Sequence, residues 1–403
     1  MELRSTSRNS ARDPGTGDSR PAALPPAALP PAALPPAALP PAERLARLRL
    51  ARTRGIGPVA AGELLARFGS AVAALEALPR LSARAGRPIL PADERLARRE
   101  MEEAGRIGAS LVFRGEAAYP ASLAELPDAP VVLACLGALP PVDRRMVAIV
   151  GARNASANGM RFASMLAADL AASGLVVVSG LARGIDAAAH EGAGARATIA
   201  VQAGGADVPY PAENARLHAA IVAGGGCVAS ERPLGARPMA HHFPQRNRIV
   251  SGLCEAVVVV EATQRSGSLI TARLGLEQGR DVLAVPGFPL DPRAAGPNSL
   301  LRDGAAPVLG AEDVLAALGR HAPVPGPAGG VLPPPPGGPE TPPDQDDRAR
   351  MAMLSALGAA PAPVDEVARR CQLSAPAARM ALLELELAGM IRRHPGNQVS
   401  LVT

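Results

Sequence analysis

Short, continuous apolar runs punctuate the middle of the chain: Val147–Val150, Leu175–Val178, Thr198–Val201, Ala256–Val260 and Val282–Val285. Unbroken rather than alternating hydrophobicity predicts strands covered on both faces, as in a parallel sheet. Between the first two runs, Phe162, Met165, Leu166 and Leu170 recur at helical spacing, and Gly174 supplies a helix stop. The pattern is that of a Rossmann-like βαβ core, spanning roughly residues 111–318. In such sheets ligands bind outside the carboxyl ends of the strands.

Two proline-rich segments separate this core from its flanks. Residues 1–41 are of low complexity and include four tandem copies of Pro-Ala-Ala-Leu-Pro from Pro21 to Pro40, which predicts a disordered, extended tail. A second linker is predicted over residues 319–346, with Pro333–Pro336 followed by Gly337 and Gly338. Between the tail and the core, residues 42–110 read as helical, with Leu64, Leu65 and Phe68 following Gly55-Ile56-Gly57. That glycine pair suits either a helix-hairpin-helix (SAM-like) module, whose backbone N–H groups meet a phosphate, or a plain helical turn. Residues 347–403 read as three helices and a hairpin, a winged helix.

Composition alters this picture little. The 403 residues are 48% hydrophobic but only 2% aromatic, so the core must be aliphatic. All 42 basic residues are arginine, a bias that a GC-rich genome explains as well as function does. A net charge of +5 permits a polyanionic partner without demanding one. Cys135, Cys227, Cys254 and Cys371 stand singly, which argues against a zinc site and a disulfide scaffold and for a reducing compartment. No signal peptide or membrane-spanning run is evident, so a soluble cytoplasmic protein is expected.

The candidate chemistry lies after the strands. Val147–Val150 runs into Gly151-Ala152-Arg153-Asn154-Ala155-Ser156, and Leu175–Val178 into Ser179-Gly180-Leu181-Ala182-Arg183-Gly184. After Ala256–Val260 comes Arg265-Ser266-Gly267-Ser268, opening a helix. Each loop combines small residues, free backbone donors and an arginine, the means of binding oxyanions. A fourth element, Phe243-Pro244-Gln245-Arg246-Asn247-Arg248, offers phosphate contacts, base-edge hydrogen bonds and a stacking face.

The segments from Val147, Val177, Phe243, Arg265 and Glu277 (V-A-I-V-G-A-R-N-A-S, V-V-S-G-L-A-R-G-I-D-A-A-A-H, F-P-Q-R-N-R-I-V-S-G-L, R-S-G-S-L-I-T-A and E-Q-G-R-D-V-L-A-V-P-G) resemble the DprA/Smf family in order and spacing. The resemblance implies an extended Rossmann fold that binds single-stranded DNA, forms a homodimer and helps load RecA during natural transformation. No cofactor and no membrane partner is expected. Its glycine-arginine loop corresponds to Gly151 and Arg153, its serine-glycine loop to Ser179 and Gly180, and its R-N-R element to Arg246, Asn247 and Arg248. With Arg183, Ser266, Gly267 and Ser268 these form the expected groove. Ala152 and Ala203 depart from the family pattern, which commonly has a hydroxyl residue and a glycine there.

Enzymatic readings are weaker. Asp186 and His190 are four apart on an expected helix but lack further partners. His241-His242 is isolated. Glu261 follows a strand, yet no G-x-G-x-x-G or Walker A fingerprint accompanies it. The alternative function is a nucleotide-processing enzyme of the nucleoside-monophosphate phosphoribohydrolase type, whose P-G-G-x-G-T-x-x-E signature is absent. A winged-helix regulator is a third possibility. Its recognition helix would be Ala375–Ala388, where Glu384 and Glu386 outnumber Arg379, so protein contact or weak duplex binding through Arg392 and Arg393 are both open.

Overall fold

The computed structural model describes residues 38–84, 88–141, 143–320, 343–394 and 396–402. Most of both proline-rich segments, from 1 to 37 and from 321 to 342, lies outside the described residues.

Four helices open the described chain: α1 (Pro41–Arg52), α2 (Pro58–Phe68), α3 (Ala71–Arg84) and α4 (Glu94–Arg106). Leu50, Leu64, Leu75 and Leu78 form the centre of this module. The buried Glu43 carboxylate accepts the Ala71 N–H at 2.9 and 3.0 Å, capping α3 with the charge its amino end favours.

The core then runs β1 (Ala109–Phe113), α5 (Ala121–Ala124), β2 (Val132–Gly137), β3 (Met146–Val150), α6 (Ala157–Ala172), β4 (Val176–Ser179), α7 (Ile185–Ala193) and β5 (Thr198–Val201). It continues through α8 (Ala215–Ala223), β6 (Cys227–Ser230), α9 (His242–Gly252), β7 (Ala256–Val259), α10 (Gly267–Glu277), β8 (Asp281–Ala284), α11 (Ala295–Arg302), β9 (Ala306–Pro307) and α12 (Ala311–Arg320). The nine strands form one sheet in the order β1-β2-β6-β5-β4-β3-β7-β8-β9. From β6 to β9 every pairing is parallel, whereas β1–β2 and β2–β6 are antiparallel. The expected parallel core is therefore extended at one side by an antiparallel ribbon.

Successive residues of β3 serve opposite faces of the sheet. Met146, Ala148 and Val150 pack with Ile249 and Val250 of α9 and with Leu253 just after it, while Val147 and Ile149 pack with Leu166 and Leu170 of α6. Strand order reverses at β3, with β4 on one side and β7 on the other. The loops after these three strands thus open a crevice at the switch point.

The carboxyl-terminal module comprises α13 (Pro343–Ala356), β10 (Ala362–Pro363), α14 (Val364–Arg370), α15 (Ala375–Leu387), β11 (Ile391–His394) and β12 (Gln398–Leu401). Its three strands pair as β10-β12-β11, giving the winged-helix arrangement. Helix α15 is apolar on two faces. Leu382 and Leu385 fill the module's own core, while Leu383 and Leu387 join the core of α1–α3.

Candidate nucleic-acid interface

The loop after β3 is pinned from across the switch point. Glu261, just beyond β7, accepts the Ser156 N–H at 2.8 Å and its hydroxyl at 2.5 Å. Ser156 in turn accepts the Gly159 N–H at 2.9 Å, capping α6. The acidic residue after this strand thus anchors the loop bearing Arg153.

The loop after β4 is held as firmly. Leu181 is fully buried with φ 54°, a left-handed conformation that costs a non-glycine residue about 1–2 kcal/mol. Its N–H reaches His190 Nε2 at 3.3 Å and its carbonyl accepts from Asn214 at 2.9 Å. His190 Nδ1 lies 2.7 Å from Thr198 Oγ1, whose own proton goes to the Val177 carbonyl. The imidazole therefore donates from Nδ1 and accepts at Nε2. It is neutral, its pKa pushed down to about 3 by burial and by Arg246. Gly184, at φ +76°, passes so close to the Ala152 carbonyl that any side chain there would collide with it.

Between these loops lies Arg246 of α9. Only 7% of it is exposed, and its Nε has no hydrogen-bond partner. Burial lowers its pKa; nearby Asp186 opposes this shift and Arg153 reinforces it. Asp186 is itself buried and accepts the Gly180 and Ala182 N–H groups at 3.1 and 3.4 Å. Burial raises its pKa, with Arg246 the leading opposing influence. Two guanidiniums close enough to disfavour each other's charge, on the wall of one cavity, are stabilised by an anion between them.

Two adjoining cavities meet at this arginine. The larger, about 770 Å³, brings together Gly151, Arg153, Arg246, Asn247, Ser266, Gly267 and Ser268. The smaller, about 380 Å³, is lined by Gly180, Arg183, Tyr210 and Phe243, again with Arg153 and Arg246. Arg153 is exposed and lies 5.3 Å from the Phe243 ring centre. Tyr210 and Phe243 sit 5.5 Å apart with their rings tilted by 54°. Ser266 caps α10, and the hydroxyls of Ser266 and Ser268 lie 2.7 Å apart. Asn247 donates to the Gly267 carbonyl at 3.2 Å, joining α9 to this helix start.

Two of the expected groove residues lie elsewhere. Ser179 is fully buried and its hydroxyl donates to the Ile149 carbonyl at 2.6 Å, tying β4 to β3. Arg248 projects from the other side of α9, where Glu231, Asp128 and the Asp128 carbonyl hold its guanidinium. Tyr210 and Arg293 line the cavities without having been anticipated. Arg293 is committed to Asp291 through bonds of 2.9 and 3.0 Å.

The candidate recognition helix α15 turns toward the amino-terminal module. Arg393 of the wing bridges Glu63 of α2 and Glu386 of α15, each at 2.8 Å. Arg392 remains exposed.

These features define an α/β protein with an arginine-rich, ring-bearing groove at the switch point of a largely parallel sheet. Residues 110–319 match the family described as DNA recombination-mediator protein A, residues 41–103 the DprA-like N-terminal HHH domain, and residues 334–397 the DprA winged helix domain. The chain belongs to the DNA recombination-mediator protein A family, also called DprA/Smf. It is 41% identical to Protein Smf of Escherichia coli over 289 residues, covering 70% of this chain and 75% of that one. It is 46% identical over 200 residues to DNA processing protein DprA of Streptococcus pneumoniae, covering 49% of this chain and 70% of that one. The solved structure of DprA from Streptococcus pneumoniae superposes with a TM-score of 0.51 at 40% identity, covering 56% of this chain and 77% of that one.

Proposed function

We propose that the groove captures single-stranded DNA without performing chemistry on it. Arg246 carries this reading: an almost fully buried guanidinium with no carboxylate ion pair among the described residues lines the same crevice as Arg153. Arg153 and Arg246 would take successive phosphates, with backbone N–H groups of the loops after β3 and at the start of α10 completing the cradle. The smaller cavity lies within the size range of small-ligand sites, and its aromatic wall suits an unstacked base, which a duplex does not offer.

The non-catalytic part of the proposal is supported by the state of the two titratable residues that invite an enzymatic reading. His190 is buried and neutral with both ring nitrogens engaged, and Asp186 is enclosed by backbone donors. The deciding experiment titrates labelled oligo-dT and a matched duplex against the full chain and its Arg153→Ala and Arg246→Ala variants. Preference for the single strand, lost in both variants, is expected. Unaltered binding in both would remove the groove from consideration, and release of free base from nucleoside monophosphates would favour the enzymatic alternative.

Family membership extends the proposal to partners and place. The captured strand would be handed to a RecA-type recombinase by a homodimer in the cytoplasm. Sedimentation would measure the dimer, and RecA filament assembly on strands coated with single-strand-binding protein would measure loading. Among the described residues no single helix is long and apolar enough to cross a membrane.

A further inference from the structure

We infer that the cavity between the amino-terminal hairpin and α9 is a second phosphate subsite, through which a strand held in the groove continues across the protein. The inference rests on the single-stranded-DNA reading of the groove and adds a path that the groove does not contain.

The cavity, about 490 Å³, is lined by the Gly55-Ile56-Gly57 hairpin on one side and by Glu231, Arg232, Gln245 and Arg248 on the other. Four arginines line it, Arg52, Arg54, Arg232 and Arg248, against one carboxylate, Glu231. Two of the four are spent on protein partners. Arg52 grips Glu100 at 2.7 Å and donates to the Glu231 carbonyl at 2.9 Å. Arg248 is held by Glu231 and Asp128.

The other two are not matched by carboxylates. Arg232 donates to the side-chain oxygen of Gln245, a neutral acceptor. Burial lowers its pKa; Glu231 opposes this, while Arg248 and Arg52 reinforce it. Arg54 is exposed, with no hydrogen bond or ion pair among the described residues. A cationic wall with a surplus of guanidinium over carboxylate is stabilised by an incoming anion. The start of α2, Gly57 and Pro58, lines the same space, but the Glu386 carboxylate lies against Gly57, so the surplus of positive charge rests on the arginines.

The nature of the anion follows from continuity. Helix α9 lines both spaces with interleaved residues: Pro244, Arg246 and Asn247 face the groove, and Gln245 and Arg248 face the second cavity. Pro244 and Gln245, adjacent in the chain and both exposed, line the groove and the second cavity respectively. No aromatic side chain lines the second cavity, so it suits a sugar-phosphate backbone and not a base. The glycine hairpin thereby acquires a role jointly with the core, which its own module alone does not provide.

The test uses the full chain, oligo-dT of about 6 and about 16 nucleotides, a span typical of single-strand modules, and fluorescence anisotropy across a salt series. Arg54→Ala/Arg232→Ala is expected to bind the short strand as the parent does. It should bind the long strand about tenfold more weakly, with the salt slope reduced by ~0.7 for each phosphate no longer neutralised. Arg54→Lys/Arg232→Lys should recover most of the affinity. Arg54→Glu, at an exposed position that folding does not need, should weaken the long strand further. Parent-like affinity and salt slope on the long strand, or equal weakening at both lengths, would overturn the subsite. Failure of the groove reading is separately visible as undiminished short-strand binding in Arg153→Ala.

Discussion

The guanidinium of Arg246 rests against the backbone of Gly180, in the space that a Cβ at residue 180 would occupy. The glycine of the loop after β4 thus serves a side chain 66 residues further on, as much as it serves any ligand (246 − 180). Gly180→Ala should evict Arg246 from its slot. Oligonucleotide affinity should fall as in Arg246→Ala, by about 1.5–3 kcal/mol, the range of hydrogen bonds to charged groups. Because one slot is involved, the double variant should bind no worse than Arg246→Ala alone. Additive effects in a double-mutant cycle would show that the two residues act separately.

Arg153 and Phe243 touch, yet they should fail differently. In the proposed groove Arg153→Ala would remove a phosphate contact, so affinity should drop and the salt slope should shrink by ~0.7. In the same proposal Phe243→Ala would remove a stacking platform, costing about 1–3 kcal/mol per stacked base with the salt slope preserved. Anisotropy titrations at several salt concentrations separate the two effects.

His190 predicts an acid limb in stability. Its folded pKa of about 3 lies below the ordinary 6.5, so between these values the unfolded chain binds a proton that the folded chain refuses. Stability should fall as pH is lowered through this window, by up to ~1.4 kcal/mol per pH unit from this residue. His190→Gln, which does not titrate, should lose that component. Urea unfolding of parent and variant at pH 7 and pH 5 measures it; an unchanged pH dependence would mean the imidazole can be protonated in place.

The strands that were legible in the sequence are those with continuous Val-rich runs, β3, β4, β5, β7 and β8. Strands β1 and β6 were not, because Ser110 interrupts the one and Cys227-Val228-Ala229 is too short an apolar run in the other. Strand β2 does carry an unbroken run, Val131–Leu136, but it pairs antiparallel on both sides and no helical pattern of a βαβ unit brackets it. The groove loops were legible because glycine and arginine followed strands. Arg248 was not separable from Arg246 until both were seen on a helix, where residues two apart point roughly 200° apart. Tyr210 had no local signal; it reaches the site from the loop after β5. The docking of α15 did leave a trace in its wide apolar surface, since Leu382 and Leu385 serve one core and Leu383 and Leu387 another.

That docking is itself testable through Arg393. Its guanidinium joins Glu63 and Glu386 at a contact where all three side chains are less than a fifth exposed. Burial raises the Glu63 pKa above its ordinary 4.5, Arg393 is the leading opposing influence, and Glu386 raises it further. A carboxyl group with a raised folded pKa favours the folded state below 4.5, and that advantage disappears as pH rises and the group must ionise in place. Arg393→Ala leaves two carboxylates facing each other without their cation. The destabilisation should be small near pH 4, where Glu63 is protonated, and should grow toward pH 7, reaching about 1–3 kcal/mol for this partly exposed pair. Hydrogen exchange of α2 and α15 in the full chain reads the contact directly, with faster exchange expected in the variant at pH 7 after correction for the intrinsic rate. If the released α15 and the exposed Arg392 can engage duplex DNA, duplex affinity should rise in the same variant as single-strand affinity stays constant. A variant that loosens α15 without gaining duplex binding would rule out a duplex-reading surface masked by this contact.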